Sequence, residues 1–425
     1  MKLVKLITCG LVGLALLSSA QAQTRLYISG STAFRSSTHA AIKHIFNGSS
    51  LQFAFIDNAN GDATESNSGA AIYTGKVLIG AVLQDVIIKT HWSGSENGIQ
   101  VAAAPASNTD FSITFFDDNT TVSQGGTKIP FGTALTDIQN DVDVAMSDTF
   151  QATSRFKAGS SGNGLSAGTY LALNGHTVGL PAGNIVGIVP FKFVASNDAP
   201  SSVTNMTSQI ARALFSTGKV PLSMFTGTAA GHSVHAFAIG RDIDSGTRLT
   251  TLAETGLGAL AVVKQYEPHK NGARAATPTG DGFDVDPLTT LWPPETVNHV
   301  PEVTGNGGYA SGGGVAAAIA NHTAAGQFMM SYLGASDAAT AVGNGAHELT
   351  FNGTSFDANA IAEGDYTFWG YEHLYYNTTK VPAGTKRQLA DKLALQIFNT
   401  DAPAPHYGDM SVTRKTDGAV VLPIF

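Results

Sequence analysis

Cysteine is almost absent. Among 425 residues only Cys9 occurs, inside the first apolar run. That excludes an intrachain disulfide framework, and it excludes thiol chemistry once that run is removed. Charge is also scarce, with Asp, Glu, Lys and Arg together making 13% of the chain. Long solvent-exposed helices need charged outer faces, so few are expected. Cations are the rarer sign, 24 Lys and Arg against 32 Asp and Glu, a formal net charge of −8. Such a surface favours neither nucleic acid nor an anionic membrane. An anionic ligand would have to be held by local donors against the overall field. Glycine, in contrast, is abundant at 47, which points to many turns and close backbone approaches.

Lys2 and Lys5, the short apolar run Leu6 to Leu17 and the small-residue site Ala20-Gln21-Ala22 read as a cleavable export signal over residues 1–22. The run is too short to span a bilayer comfortably, and no later one is long enough. Leu6-Ile7-Thr8-Cys9 is a poor lipoprotein site. The mature chain would begin at Gln23, and losing Lys2 and Lys5 takes the charge from −8 to −10. Without disulfides, about 400 residues must rely on a large core, and that length suggests two domains or lobes.

Strand and helix patterns alternate along the chain. Leu26-Tyr27-Ile28 reads as a strand, followed by a helix over roughly 34–46. Residues 51–90 are strand-like. Val101 to Ala104 starts a short helix, and 105–140 is a polar, β-rich excursion. Val142 to Met146, Ile185 to Val194, Val234 to Ile239, Phe328 to Leu333 and Tyr366 to Tyr376 read as strands. Helices are expected over 208–215, 249–260, 315–320 and 386–398. Residues 268–310 are rich in Pro, Gly, Thr and Asn and carry little pattern. Alternation of this kind means α/β architecture.

Four strand-to-loop transitions share one chemistry. The most informative is Gly240 to Arg248, between an apolar strand and a helix. The first N–H groups of that helix lack intrahelical partners. Ser245 and Thr247 add hydroxyls, Gly246 permits close approach, and Arg241 brings a planar fork of donors. Gly30-Ser31-Thr32-Ala33 and Gly94-Ser95-Glu96-Asn97-Gly98 also enter helices, and Ser147-Asp148 ends a strand. In open α/β sheets, ligands bind beyond the carboxyl ends of strands.

The order GSTAF (30–34), GSENG (94–98), AMSD (145–148) and RDIDSGT (241–247) resembles the periplasmic phosphate-binding proteins of ABC importers. IVPFKFVASND, GGGVAAAI with GQFMMSYLG, and DYTFWGYEHLYY extend the resemblance over most of the chain. Inserts fall near 51–90, 105–138 and 268–305. The resemblance implies a two-lobed periplasmic-binding-protein fold, each lobe a mainly parallel sheet flanked by helices. Two crossovers are implied, near 192–197 and 336–364. Lobe I would comprise 23–194 plus 364–425, and lobe II 195–363.

The resemblance further implies an exported, monomeric solute-binding protein. It would capture inorganic phosphate in the interlobe cleft and deliver it to an ABC permease, without enzymatic activity, cofactor or metal. Ser31, Thr32, the Ala33 N–H and Ser95 would donate from lobe I, and Arg241, Ser245, Gly246 and Thr247 from lobe II. Asp148 would accept a hydrogen bond from a protonated phosphate oxygen. Sulfate has no proton to offer, so an acceptor at Asp148 would reject it. Glu96 and Asn97 stand where the family has small residues. Glu96 is either a repulsive charge near the site or turned away toward the helix dipole. Asp242 or Asp244 is expected to pair with Arg241.

Other readings are weaker on the residues. Gly231-His232-Ser233-Val234-His235 has His where a nucleophile elbow needs Gly. His232 and His235 are the one weak metal-like pair. Gly312-Gly313-Gly314 lacks the Lys and Ser/Thr of a P-loop and reads as packing or hinge. An extracellular oxyanion- or phosphoryl-binding surface protein without a transport role is the alternative function, ahead of a hydrolase.

Overall fold

The computed structural model describes residues 23–59, 61–270, 273–274, 287–320 and 326–425. The export signal read at 1–22, with Cys9, lies outside the described residues, as does His322.

One sheet of thirteen strands organises the molecule. Its strands are β1 Thr24–Gly30, β2 Gln52–Ile56, β3 Ala70–Ile79, β4 Val82–His91, β5 Thr127–Ile129, β6 Val144–Ser147 and β7 Ile185–Ala195. They continue with β8 Asn205–Met206, β9 Lys219–Pro221, β10 His235–Ala238, β11 Gln327–Gly334, β12 His347–Phe351 and β13 Trp369–Tyr375. The order is β9-β10-β11-β7-β13-β6-β1-β4-β3-β2-β5, with β8 and β12 branching from β7. The chain is therefore α/β, as its alternating pattern indicates.

Parallel pairs form the heart of each half of the sheet: β1 with β4 and β6 in one, β10 with β11 in the other. Antiparallel pairs occur where β7 and β13 join the halves and where the β3–β4 hairpin extends the edge. β7 is buried along its whole length, as its largely apolar run suggests, and its one charge, Lys192, pairs with Glu348 of β12. It pairs with β13 up to Pro190 and with β11 from Phe191 onward. Proline cannot donate to a ladder, and here it stands where β7 changes partners.

Helices fill both faces. Those that matter for the site are α1 Arg35–Ile45, α2 Ser95–Ala103, α3 Gly246–Glu254, α4 Gly312–Ile319 and α5 Ala335–Gly343. Two lengths differ from the sequence reading. α2 begins at Ser95, so the GSENG loop is itself the first turn. α3 stops at Glu254, because Thr255 is followed by Gly256 and Gly258, both at positive φ. One core cluster runs across both halves, joining Leu26 and Ile28 to Phe191, Phe193 and Trp369.

The segments taken as inserts have different fates. β4 belongs to the centre of the sheet and leads directly into α2, so the end of 51–90 is scaffold. Residues 105–140 supply β5 and a separate pair, Ile113–Phe115 with Asp137–Gln139. Gly231 to His235 lies before a strand and has no strand-to-helix turn, so it forms no nucleophile elbow. Gly312 opens α4, where a Cβ would fall 2.0 Å from Asp337 Oδ2. That glycine serves close packing.

Candidate functional site

Five strand ends converge. β1 ends at Gly30 with φ 124°, where a Cβ would lie 1.9 Å from the Met146 carbonyl oxygen. Only glycine allows that approach, and it lets Ser31 N–H donate to Met146 O at 2.8 Å. The Ser31–Phe34 turn is thereby seated on β6. No side chain caps α1, so its first N–H groups keep their donor capacity. A Cβ on Gly334, at the end of β11, would come within 3.3 Å of Ala33 Cβ. The first loop thus abuts the far half of the sheet.

The second and fourth loops are latched together. Glu96 N–H donates to Asp244 O at 2.9 Å, and Gly94, at φ 98°, leaves no room for a Cβ against the same carbonyl. Between these loops lies Asp148, 1% exposed. Ser95 Oγ donates to its Oδ1 at 2.5 Å, and Thr247 Oγ1 donates to its Oδ2 at 3.1 Å. Asp148 N–H reaches Ser95 Oγ at 3.3 Å. A Cβ on Gly246 would fall 1.7 Å from Asp148 Oδ1, so this contact also requires glycine. Burial raises the Asp148 pKa, while the two hydroxyls and the Arg241 charge oppose the rise.

Arg241, 2% exposed, is held differently from expectation. Its Nε donates to Tyr309 O at 3.0 Å and its Nη2 to Ala310 O at 2.9 Å. Neither Asp242 nor Asp244 clamps it: Asp242 is used within the loop and Asp244 is used by a later segment. Asp242 Oδ1 accepts from Asp244 N–H at 3.1 Å, and Asp244 Oδ2 accepts from Asn298 Nδ2. Burial pushes Asp242 up to about 6 against the pull of Arg241, and it pushes Asp244 well above its usual range, with Asp242 and Glu96 adding to the effect. Ser245 serves as the cap of α3, its Oγ accepting from Arg248 N–H at 3.1 Å.

Glu96 turns away from Asp148. Its carboxylate accepts from Thr149 Oγ1, Ser154 Oγ and Arg155 N–H at 3.3, 3.0 and 3.0 Å. Burial still pushes it up to about 6. Of the residues singled out in the sequence, Ser95, Asp148, Gly246 and Thr247 form one contact cluster. Arg241 lies within electrostatic reach of it, and Ser31 and Thr32, both buried, lead with the half-buried Ala33 into α1.

Sequence reasoning missed several members. Arg35, the first residue of α1, feels both Asp337 of α5 and Arg241. Asp337 is raised by burial and lowered by those two arginines. Arg35 follows the GSTAF motif directly, a signal that was available. Asp417 accepts from Phe150 N–H at 2.9 Å and from Thr153 Oγ1, bracing the loop after Asp148. Glu372 of β13 is fully buried and within reach of the Asp148 charge. Among the described residues no group of three or more His, Cys, Asp or Glu is placed to hold a metal ion. No helix among them is long and apolar enough to cross a membrane.

Hydroxyls, free helix N–H groups, guanidinium groups and one partnered carboxyl suit a small tetrahedral anion that carries a proton. No family model matches the chain, and no curated protein matches it. Similar solved structures include a phosphate-bound Clostridium perfringens protein described as a phosphate ABC transporter substrate-binding protein. It shares 11% identity at a TM-score of 0.43, over 90% of this chain and 99% of that one. An ABC-type phosphate transport receptor from Vibrio cholerae shares 12% at 0.41, over 87% and 93%. PstS from Borrelia burgdorferi shares 10% at 0.37, over 89% and 94%.

Proposed function

We propose that this chain is an exported, monomeric binding protein that captures inorganic phosphate at Asp148, between the two halves of the sheet, and passes it to an ABC permease. The observation that carries the reading is the convergence on Asp148 of hydroxyls from two helix N-termini, Ser95 and Thr247, supplied by opposite halves of the sheet. A phosphate entering here would take over those donors together with the α1 N–H groups and the unused Arg241 donors, and it would offer Asp148 its own proton. An anion without a proton would set charge against charge in a desolvated place.

In this reading residues 23–194 with 364–425 form one lobe and 195–363 the other. β7 and the approach to β13 are the hinge strands, and closure brings Arg241 and Thr247 onto an anion already held by Thr32 and Ser95. The site residues are Ser31, Thr32, Ala33, Ser95, Asp148, Arg241, Ser245, Gly246 and Thr247, with binding and no catalysis. The test is calorimetry of the chain from Gln23 with phosphate and with sulfate. Phosphate heat without sulfate heat is the expected result. Absence of heat with either anion would defeat the reading.

A further inference from the structure

Glu372 is a buried acid that nothing in the fold accounts for. Its backbone pairs with Gly187 of β7, and its neighbour His373 pairs with Ser147, so it lies beside the strand end that delivers Asp148. It is 0% exposed, and neither carboxyl oxygen has a hydrogen-bond partner. The Ser31 hydroxyl is also buried and also lacks a partner. Ser31 is close enough to Glu372 to favour its charged form, yet makes no well-formed hydrogen bond with it. Two orphaned polar groups side by side, at the foot of an uncapped helix N-terminus, are unusual in a native interior. The charged neighbour facing Glu372 is Asp148, and Tyr375 on the same strand also feels its charge. Among the described residues no cation acts on it in compensation. Burial first, then Asp148, raises its pKa well above the usual carboxyl range.

We infer that Glu372 is a second carboxyl of the anion site, one that enters as the neutral acid and donates a hydrogen bond to a phosphate oxygen while Asp148 accepts one from a phosphate hydroxyl. The inference rests on the phosphate reading above and adds to it. One donor acid and one acceptor acid together select an anion that has both a bare oxygen and a proton. Close carboxyls also share protons as a pair, so removing the Glu372 proton at high pH would leave two negative charges facing the ligand.

The test is calorimetry with inorganic phosphate near pH 6 and near pH 9 on wild type, Glu372→Gln and Glu372→Leu, with infrared difference spectra of wild type on phosphate addition. Wild type should lose at least roughly tenfold more affinity over that range than Glu372→Gln, which keeps a donor that does not titrate. Glu372→Leu should bind at least roughly tenfold more weakly near pH 6. The protonated-carboxyl component that is present in wild type and missing from Glu372→Gln, which keeps those of Asp244 and Asp417, should shift when phosphate is added. If Glu372→Leu does not fold, the Gln variant and the infrared band decide. Normal phosphate heat with an unmoved band, or with matching pH profiles, overturns this inference alone. No phosphate heat in wild type overturns both it and the reading beneath it.

Discussion

Asp148 and Glu372 lie at neighbouring strands and are both buried, yet their surroundings are opposite. Each oxygen of Asp148 receives a hydroxyl, one from each half of the sheet. Glu372 receives none. The difference follows from where the chain puts them. Asp148 stands just past a strand end, where two helix N-termini arrive. Glu372 stands inside a strand, where no donor reaches either of its oxygens. A carboxylate can stay charged in the first place and is strongly disfavoured as an ion in the second. Two acids of the same chemistry are thereby set up as acceptor and donor.

The sharpest way to break the Asp148 arrangement is Gly246→Ala. Its Cβ would fall 1.7 Å from Asp148 Oδ1 and 2.7 Å from Ser95 Cβ. Phosphate affinity should fall by more than about a hundredfold, with destabilisation of about 1–3 kcal/mol from overpacking. Gly343→Ala, where a Cβ meets nothing within 4 Å, is the control and should change neither. Calorimetry and thermal melts read both. Equal affinity in the two variants would show that the Gly246 contact is not part of the site.

Next in size is Arg241→Ala, expected to weaken phosphate binding by about 2–5 kcal/mol because a desolvated anion loses its cation. Arg241→Lys should recover little, since an ammonium lacks the planar fork whose separate nitrogens reach the Tyr309 and Ala310 carbonyls and leave donors for an anion. Asp148→Asn comes after it. Its amide keeps one acceptor oxygen and gains a donor, so phosphate should lose about tenfold while sulfate begins to bind. Sulfate heat that stays at zero in this variant would mean that Asp148 does not set the selectivity.

The sequence disclosed one of the two acids. Asp148, Ser95, Gly246 and Thr247 were legible because strand ends and helix starts are written locally, in Gly, Ser, Thr and Asp. Glu372 was not, because DYTFWGYEHLYY reads as an aromatic core strand. Its place beside Asp148 depends on β13 pairing with strands some 180 to 230 residues away in sequence. The clamp on Arg241 was hidden for a similar reason. It comes from the carbonyls of Tyr309 and Ala310, in a segment with little secondary-structure pattern, and carbonyl positions are not encoded by residue type. The end of α3 was missed: its apolar spacing suggested continuation to 260, and the helix stops at Glu254, ahead of Gly256 and Gly258.

The smallest expected effect concerns Asp417, a third buried acid, intermediate between the other two. One of its oxygens accepts from Phe150 N–H and from Thr153 Oγ1, and burial pushes its pKa up to about 7. A carboxyl whose folded pKa lies above its unfolded value of 3.8 holds its proton longer in the folded state. It therefore costs stability progressively as pH rises from about 4 to about 7, and the cost is constant above that. Asp417→Asn keeps an accepting oxygen and removes the titration. The variant should melt with wild type near pH 4 and higher than wild type near pH 8, where the ionisation cost is lifted. Melts followed by circular dichroism at both pH values check this. A variant that is less stable near pH 8 than near pH 4, relative to wild type, would mean that Asp417 is ionised and well served in the folded chain. It would then belong with Asp148, and Glu372 would be left alone among these three as the acid without support.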